Sequence, residues 1–587
     1  MNADYCRQSL IQDVGIRKGI SMTNKTNLIK LGAALLFTII STATAIAADR
    51  PNIVILFVDD MGYSDIGCFG GEIETPNLDK LATDGVRLTQ FYNTSRCCPS
   101  RASLLTGLYS HQAGIGMMVY QDFGVGYRKN INDQCVTFGE VLKAAGYQTM
   151  MSGKWHVGHT DPKARPEVRG FDEFTGIYSH VDSYWKVLRG CDVYKDKKLH
   201  IKAQETPKNP YKPDEEFYTT DYFTDVALDY IDQASEDKAK PFLLHVCYNV
   251  PHFPLETPDH LIEKYRGKYM KGWDVLREEK LERMKKMGLV WTTQILPEVQ
   301  DFTNRKINGF TQVGTEGKAL PKWDSLSEAD KRELDFRRAM YAGQIDRLDW
   351  NVGRIVEQLK KQGVFDNTLI MFFSDNGCSG ELGLFGMNWK KYTSANYADW
   401  RKKGGWSISQ GQCWAAYSNT PFRKYKKFVH EGGIASPFIA HWPAGIKKPG
   451  SILSSQFFHL IDIMPTLCEA ADADYPKNYN GEEIPKTQGI SMLPFIKSSE
   501  APADSRTVYW QHENHAAVRD GHWKLVTVND RSDDHWELYN LSKDRSETDN
   551  LADKHPAIVA RLKKKWATWA NDVNVTPFPE TRTKRQN

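Results

Sequence analysis

Asn52-Ile53-Val54-Ile55-Leu56-Phe57-Val58 runs straight into Asp59-Asp60. The apolar run has the length of a strand and is β-branched in part. With no polar alternation it reads as a strand buried on both faces, as the strands of parallel sheets are. Working outward, Pro241 to Cys247, Asn367 to Phe373 and Ala435 to His441 repeat the pattern. Helical stretches lie at Asn77 to Thr83, Thr137 to Ala145 and Asp221 to Ala234. Strands alternating with helices predict an α/β chain built on a parallel sheet.

The residues that follow these strands are polar. Asp59 and Asp60 are costly neighbours unless a cation lies between them, although a solvated turn would also accept such a pair. Ser374-Asp375-Asn376-Gly377 offers two more oxygen ligands for a hard cation if its strand lies beside the first. A short strand, Gln148 to Met151, leads to Gly153-Lys154-Trp155-His156-Val157-Gly158. On an extended segment Lys154 and His156 would face one side. His252 stands in Tyr248-Asn249-Val250-Pro251-His252-Phe253-Pro254, again past a strand. Each of these alone fits an ordinary loop. Together they fall where an open parallel sheet gathers ligand-binding groups.

Arg96-Cys97-Cys98-Pro99-Ser100-Arg101 opens a further helix, predicted to start at or near Pro99 because proline suits the first helical position. Its free N–H groups and positive dipole end, with Arg101 one turn inside, favour an anion beside Cys97.

Cys97-x-Pro99-Ser100-Arg101, followed by Ala-Ser-Leu-Leu-Thr-Gly107, resembles the signature of the type I, formylglycine-dependent sulfatases, and the chain is similar to bacterial arylsulfatases. The Asp59-Asp60 segment, Gly-Lys-Trp-His-x-Gly, Pro251-His252, Asp375-Asn376 and the lysine segment before Glu431-Gly432-Gly433 resemble the family in the same order. The resemblance implies an alkaline-phosphatase-like fold with a large mixed, mostly parallel sheet and helices on both faces. It implies that a formylglycine-generating enzyme oxidises Cys97. It implies one Ca²⁺ held by Asp59, Asp60, Asp375, Asn376 and the converted Cys97. Arg101 and Lys154 would stabilise charge, His156 would act as base, and His252 or Lys426 would protonate the leaving alcohol. The family spacing selects Lys426 over Lys424 and Lys427. The implied activity is hydrolysis of a sulfate ester, aryl or carbohydrate. A phosphonate or phosphate ester hydrolase, and a sulfated-glycan-binding protein with unmodified Cys97, remain alternatives.

Lys25 to Ala48 has a basic start, a short apolar middle and small residues at its end, the pattern of a secretory signal. The expected product is exported, periplasmic or secreted, with no membrane attachment once residues 1–48 are removed; Met22 is a possible true start. The five basic residues Arg7, Arg17, Lys18, Lys25 and Lys30, set against Asp4 and Asp13, account for the net charge of +3. The mature chain is then near neutral, which argues against a nucleic-acid partner. Ten cysteines over 587 residues make no disulfide framework.

Residues 49–500 are expected to form the catalytic domain. Residues 505–580 are expected to form a small α+β domain with an antiparallel sheet, from strand patterns at Ala516 to Val528 and His535 to Leu541 and a helix at Pro556 to Val573. The charged stretches Leu261 to Leu289 and Ser327 to Lys361 read as solvated helix faces. The aromatics between Ser379 and Thr420 fit a ring-stacking surface or a miniature core equally well.

Overall fold

The computed structural model describes residues 50–576, apart from 121, 205, 300–305, 308–309, 312–318, 388–389, 404–407, 499–505 and 528–534. The expected export signal lies outside the described residues, as does most of the Ser498 to Ser505 boundary. Among the described residues no helix is long and apolar enough to cross a membrane.

The main sheet is built from β1 (Asn52–Asp59), β2 (Val86–Tyr92), β3 (Gln148–Lys154), β4 (Glu173–Ile177), β5 (Val193–Lys195), β6 (Lys198–Ile201), β7 (Phe242–Pro251), β8 (Thr368–Ser374), β9 (Ala435–His441) and β10 (Ser451–Leu453). Their order is β10-β2-β9-β8-β1-β7-β3-β4-β5-β6, with the short strand Phe458–His459 added beside β2. From β8 through β1, β7 and β3 to β4 every pairing is parallel. β9 and β5 turn antiparallel on the two sides of this block.

β1 sits at the centre with every residue from Ile53 to Asp59 buried. Val54, Leu56 and Val58 face one core cluster and Ile53, Ile55 and Phe57 the other, the period-two alternation of a strand. Helices Thr219–Ala234 and Glu328–Lys361 cover the first face, and helices Cys97–Thr106, Phe138–Ala144 and Ile463–Ala471 the second. Each large apolar side chain removed from water in this way contributes about 1.5–3 kcal/mol.

β3 and β7 both run further than expected, to Lys154 and Pro251. The extension of β3 depends on Gly153, whose φ is +103°. A Cβ there would lie 2.1 Å from the Cys247 carbonyl oxygen of β7, so only glycine lets the strands close up and carry Lys154 inward.

The charged helices are not wholly solvated, which corrects that expectation. Arg337, Arg338 and Lys280 are buried. Arg338 reaches Asp65 and Glu72 at 2.9 Å each, Lys280 reaches Glu72 at 3.1 Å, and Arg337 donates to the Ser409 carbonyl at 2.8 Å. Long basic side chains enter a core when each charge finds its partner there.

The aromatic stretch resolves as core for its described members. Trp414 is fully buried edge-on against Tyr269, Trp273 and Trp323, and donates to the Leu334 carbonyl at 2.9 Å. Trp389 and Trp406 lie outside the described residues.

Strands Thr507–His512, His515–Asp520, Trp523–Thr527 and Trp536–Asn540 form an antiparallel sheet backed by helix Pro556–Asp572. Glu431 ties this sheet to the main body. It accepts from Tyr92 Oη at 2.7 Å, Arg545 Nε at 2.8 Å and Lys524 Nζ at 3.0 Å.

His245 on β7 is buried and its pKa is driven down to about 3 by burial, then by Arg101. The unfolded chain therefore takes up a proton below about pH 6.5 that the native state refuses until about pH 3. The stability contribution is complete above pH 6.5 and is lost as pH falls. Urea unfolding of His245→Gln between pH 6 and 4 should show a pH slope smaller by about 1.4 kcal/mol per unit than that of the unsubstituted chain.

Candidate active site

Four neighbouring strands deliver polar residues from their carboxyl ends: β1 gives Asp59 and Asp60, β8 Asp375 and Asn376, β3 Lys154 and β7 His252. The parallel register Val58 to Ser374 brings the first two pairs level. Asp60 N–H donates to Asp375 Oδ1 at 3.2 Å, and Asn376 Nδ2 donates to Asp60 Oδ1 at 2.6 Å. Lys426 Nζ lies 2.6 Å from the same Asp60 oxygen, and His252 Nε2 lies 3.5 Å from Asp60 Oδ2. Arg101 Nη2 donates to Asp59 and Asp375 at 3.2 Å each, its Nη1 donates to the Lys154 carbonyl at 2.9 Å, and Lys154 Nζ pairs with Asp59. Lys424 and Lys427 go elsewhere, over the Phe428 ring and to Glu381.

The Cys97–Thr106 helix begins two residues ahead of Pro99, which occupies the first turn, where no intrahelical N–H bond is required. No side chain caps its start at Arg96. Cys97, Cys98 and His156 present two sulfurs and a ring nitrogen within 4.8 Å of one another. A hydrogen bond from Cys98 holds the Cys97 thiol well below its usual pKa; burial opposes this, and His156 and Lys154 add to it. The extended segment expected through His156 stops at Lys154, because His156 adopts φ +59°. Burial, then Lys154, pushes the His156 pKa down to about 3, so its imidazole is neutral at working pH.

Asp59 Oδ1, Asp60 Oδ2 and Asn376 Oδ1 are buried without a hydrogen-bond partner. Burial, then the neighbouring Asp59, drives the Asp375 pKa well above the carboxylate range. Unpaired oxygens and crowded carboxylates fit a hard, oxygen-preferring cation.

Two contributors carry no sequence signal. Glu381 follows a glycine in a polar loop, yet binds Lys427 at 2.7 Å, Arg96 at 2.9 Å and Lys426 at 3.6 Å. Burial would raise its pKa, but Arg96 and then Lys427 hold it well below the usual value. Glu513, at the tip of the C-terminal hairpin, is likewise held at about 2, against burial, by Lys427 and then His512. Neither has a spacing that would have marked it; both are found only by the cations they meet.

The family model described as Sulfatase matches residues 51–473. The chain belongs to the sulfatase family. A second model, N-sulphoglucosamine sulphohydrolase, C-terminal, matches residues 422–572 of this sulfatase. It is 31% identical over 560 residues to an uncharacterized sulfatase of Schizosaccharomyces pombe, covering 90% of this chain and 95% of the relative. It is 30% identical over 486 residues to an arylsulfatase of Klebsiella aerogenes, covering 81% and 97%. A protein solved in complex with its substrate D-glucosamine-2-N,6-O-disulfate shares the fold with a TM-score of 0.57 at 22% identity, covering 91% of this chain and 100% of that one. The sulfatase is thus an enzyme of sulfate ester hydrolysis.

Glu381 touches three cations but none of the carboxylates, so its expected role is to hold Lys426, Lys427 and Arg96 in place. Glu381→Gln should lower kcat by about 10–100-fold, the scale of misplaced catalytic groups. KM should not rise, because the freed positive charge still attracts an anion; steady-state kinetics on an aryl sulfate separates the two.

Proposed function

We propose that this sulfatase is exported and cleaves sulfate monoesters with formylglycine made from Cys97, beside one Ca²⁺ held by Asp59, Asp60, Asp375 and Asn376. The observation that carries the reading is the meeting of those four oxygen-bearing residues with Arg101, Lys154 and Lys426 at one buried strand edge. The converted residue would supply a hydrated aldehyde as nucleophile, and the cation would orient it and lower its pKa. Export rests on the Lys25 to Ala48 segment. The proposed natural substrate is a sulfated carbohydrate, supported by the C-terminal model match and by the relative solved with a glucosamine disulfate.

The chain's own groups divide the remaining work. Lys426 stays charged: burial would lower its pKa, but Asp60 and then Glu381 raise it above the usual lysine range. It is therefore a binder of sulfate oxygens rather than a proton donor. His252 Nδ1 donates to the Phe253 carbonyl at 2.6 Å, which leaves Nε2 turned toward Asp60. Burial lowers its pKa below the usual histidine value, so a proton carried there is readily released. His252 is the proposed proton donor to the leaving alcohol. His156, neutral and next to the Cys97 sulfur, is the proposed base.

In protein made with the formylglycine-generating enzyme, mass spectrometry of the peptide containing position 97 should find an aldehyde that a hydrazide captures. Cys97→Ser should lose nearly all turnover, and a nitrophenyl sulfate should be cleaved faster than the matching phosphate. A thiol at position 97 in fully active enzyme would overturn the reading.

His252→Ala should reduce kcat far more for an alkyl sulfate than for nitrophenyl sulfate, since only the poor leaving group needs a proton. The same leaving-group dependence in Lys426→Ala would move the donor role to Lys426.

A further inference from the structure

Cys97 and Cys98 form a second constellation with His156, beside the carboxylates and sharing Cys97 with them. Their sulfurs and a ring nitrogen lie within 4.8 Å of one another, and all three residues are buried. His156 is only 2% exposed, and its ring meets the Cys97 sulfur rather than a nitrogen or oxygen partner among the described residues. A soft ion between the imidazole and the two sulfurs would satisfy that buried ring more fully than the thiol contact does. On the other side of Cys97, Met118 Sδ stands 3.7 Å from its Sγ while accepting from Arg96 Nε at 3.4 Å. Two thiols, an imidazole and a thioether are soft donors. The oxygens of Asp59, Asp60 and Asn376 select hard cations instead.

We propose that the folded chain with Cys97 unconverted holds one monovalent copper ion between Cys97, Cys98 and His156, with Met118 as an outlying sulfur donor. Thiolate and thioether both suit Cu(I), whereas zinc sites are built from Cys, His and carboxylate, so the thioether beside the thiolates favours Cu(I). Binding expels to solvent whatever protons the two sulfurs still hold and moves no electron, so copper enters and stays as Cu(I). Two thiolates and one Cu(I) leave a single negative charge close to Arg96 and Lys154, which also pair with Glu381 and Asp59. Conversion of Cys97 to an aldehyde removes one of the two thiolates, so the site belongs to the unconverted protein alone. It requires only the thiol form and does not depend on the catalytic roles assigned above.

The test uses the full chain made in a host without the formylglycine-generating enzyme, reduced and loaded anaerobically with Cu(I). It is then exchanged against a chromophoric Cu(I) chelator, and retained copper is measured by atomic absorption. The expected result is about one copper per chain, lost in Cys98→Ser and in His156→Ala and held less tightly in Met118→Leu. Cys247, whose Sγ lies 2.8 Å from His245 Nε2, is the competing thiol–imidazole neighbour; Cys247→Ser should retain the ion. Thermal midpoints check that each variant is folded. Where one is not, copper-edge X-ray absorption of the unsubstituted chain decides, with mixed sulfur and nitrogen ligation expected. Copper retained equally by the converted chain, copper lost in Cys247→Ser, retention of zinc but not copper, or sulfur-only ligation would each overturn the proposal.

Discussion

Three carboxylates, those of Asp59, Asp60 and Asp375, are buried together at the carboxyl edge of β1 and β8. Like charges in a low-dielectric interior repel strongly, and the rest of the site answers that repulsion. Arg101 bridges Asp59 and Asp375, Lys154 meets the same Asp59 oxygen as Arg101, and Lys426 and Asn376 meet Asp60. These partners come from four separate segments of chain, so the acidic cluster dictates much of the fold's convergence. The oxygens still unpaired after this neutralisation define the room left for a cation.

Convergence is reached at a backbone cost. Asp60 and His156 adopt φ of +66° and +59°, and Ser95, Lys424 and Lys427, all close to the site, also have positive φ. Side chains disfavour this region by about 1–3 kcal/mol each. The compensation lies in the surrounding contacts: the Lys427 N–H donates to the Ser95 carbonyl at 2.9 Å, and the His156 N–H donates to the Tyr178 carbonyl at 3.0 Å. Such kinks aim neighbouring side chains to directions that a regular strand or helix cannot offer. Lys426 and Lys427, adjacent in sequence, both meet Glu381, but only Lys426 is paired with Asp60.

Much of this was legible in the chain because burial on both faces leaves an unambiguous trace. The unbroken apolar runs of β1, β7 and β8 announced a parallel core, and the polar residues at their ends announced where chemistry would gather; Ala435 to His441 read as the same kind of strand, yet β9 pairs antiparallel. The strand order, with β1 between β8 and β7, leaves no such trace, since any of the runs could have occupied the centre. The positive φ at His156 was equally hidden, because histidine is not a turn residue by habit. Glu381 and Glu513 were invisible for another reason. An acidic residue in a loop reads as solvated until the cations around it are known, and the same reasoning misread Arg338 and Lys280 as surface charge.

The closing hairpin at Glu513 and the anchoring of the C-terminal sheet on Glu431 give chain synthesis an order. Asp59, Cys97 and Arg101 leave the ribosome early, whereas Lys426, Lys524 and Glu513 leave it late. Cys97 is 2% exposed in the finished molecule, and Lys426 and His512, which lie near enough to feel its charge, are among the residues that arrive late. Under the proposed conversion of Cys97, an enzyme reaching its sulfur would work during an interval opened by translation and ended by the last strands. Codon usage or a pause between these segments would lengthen or shorten that interval without altering a single residue.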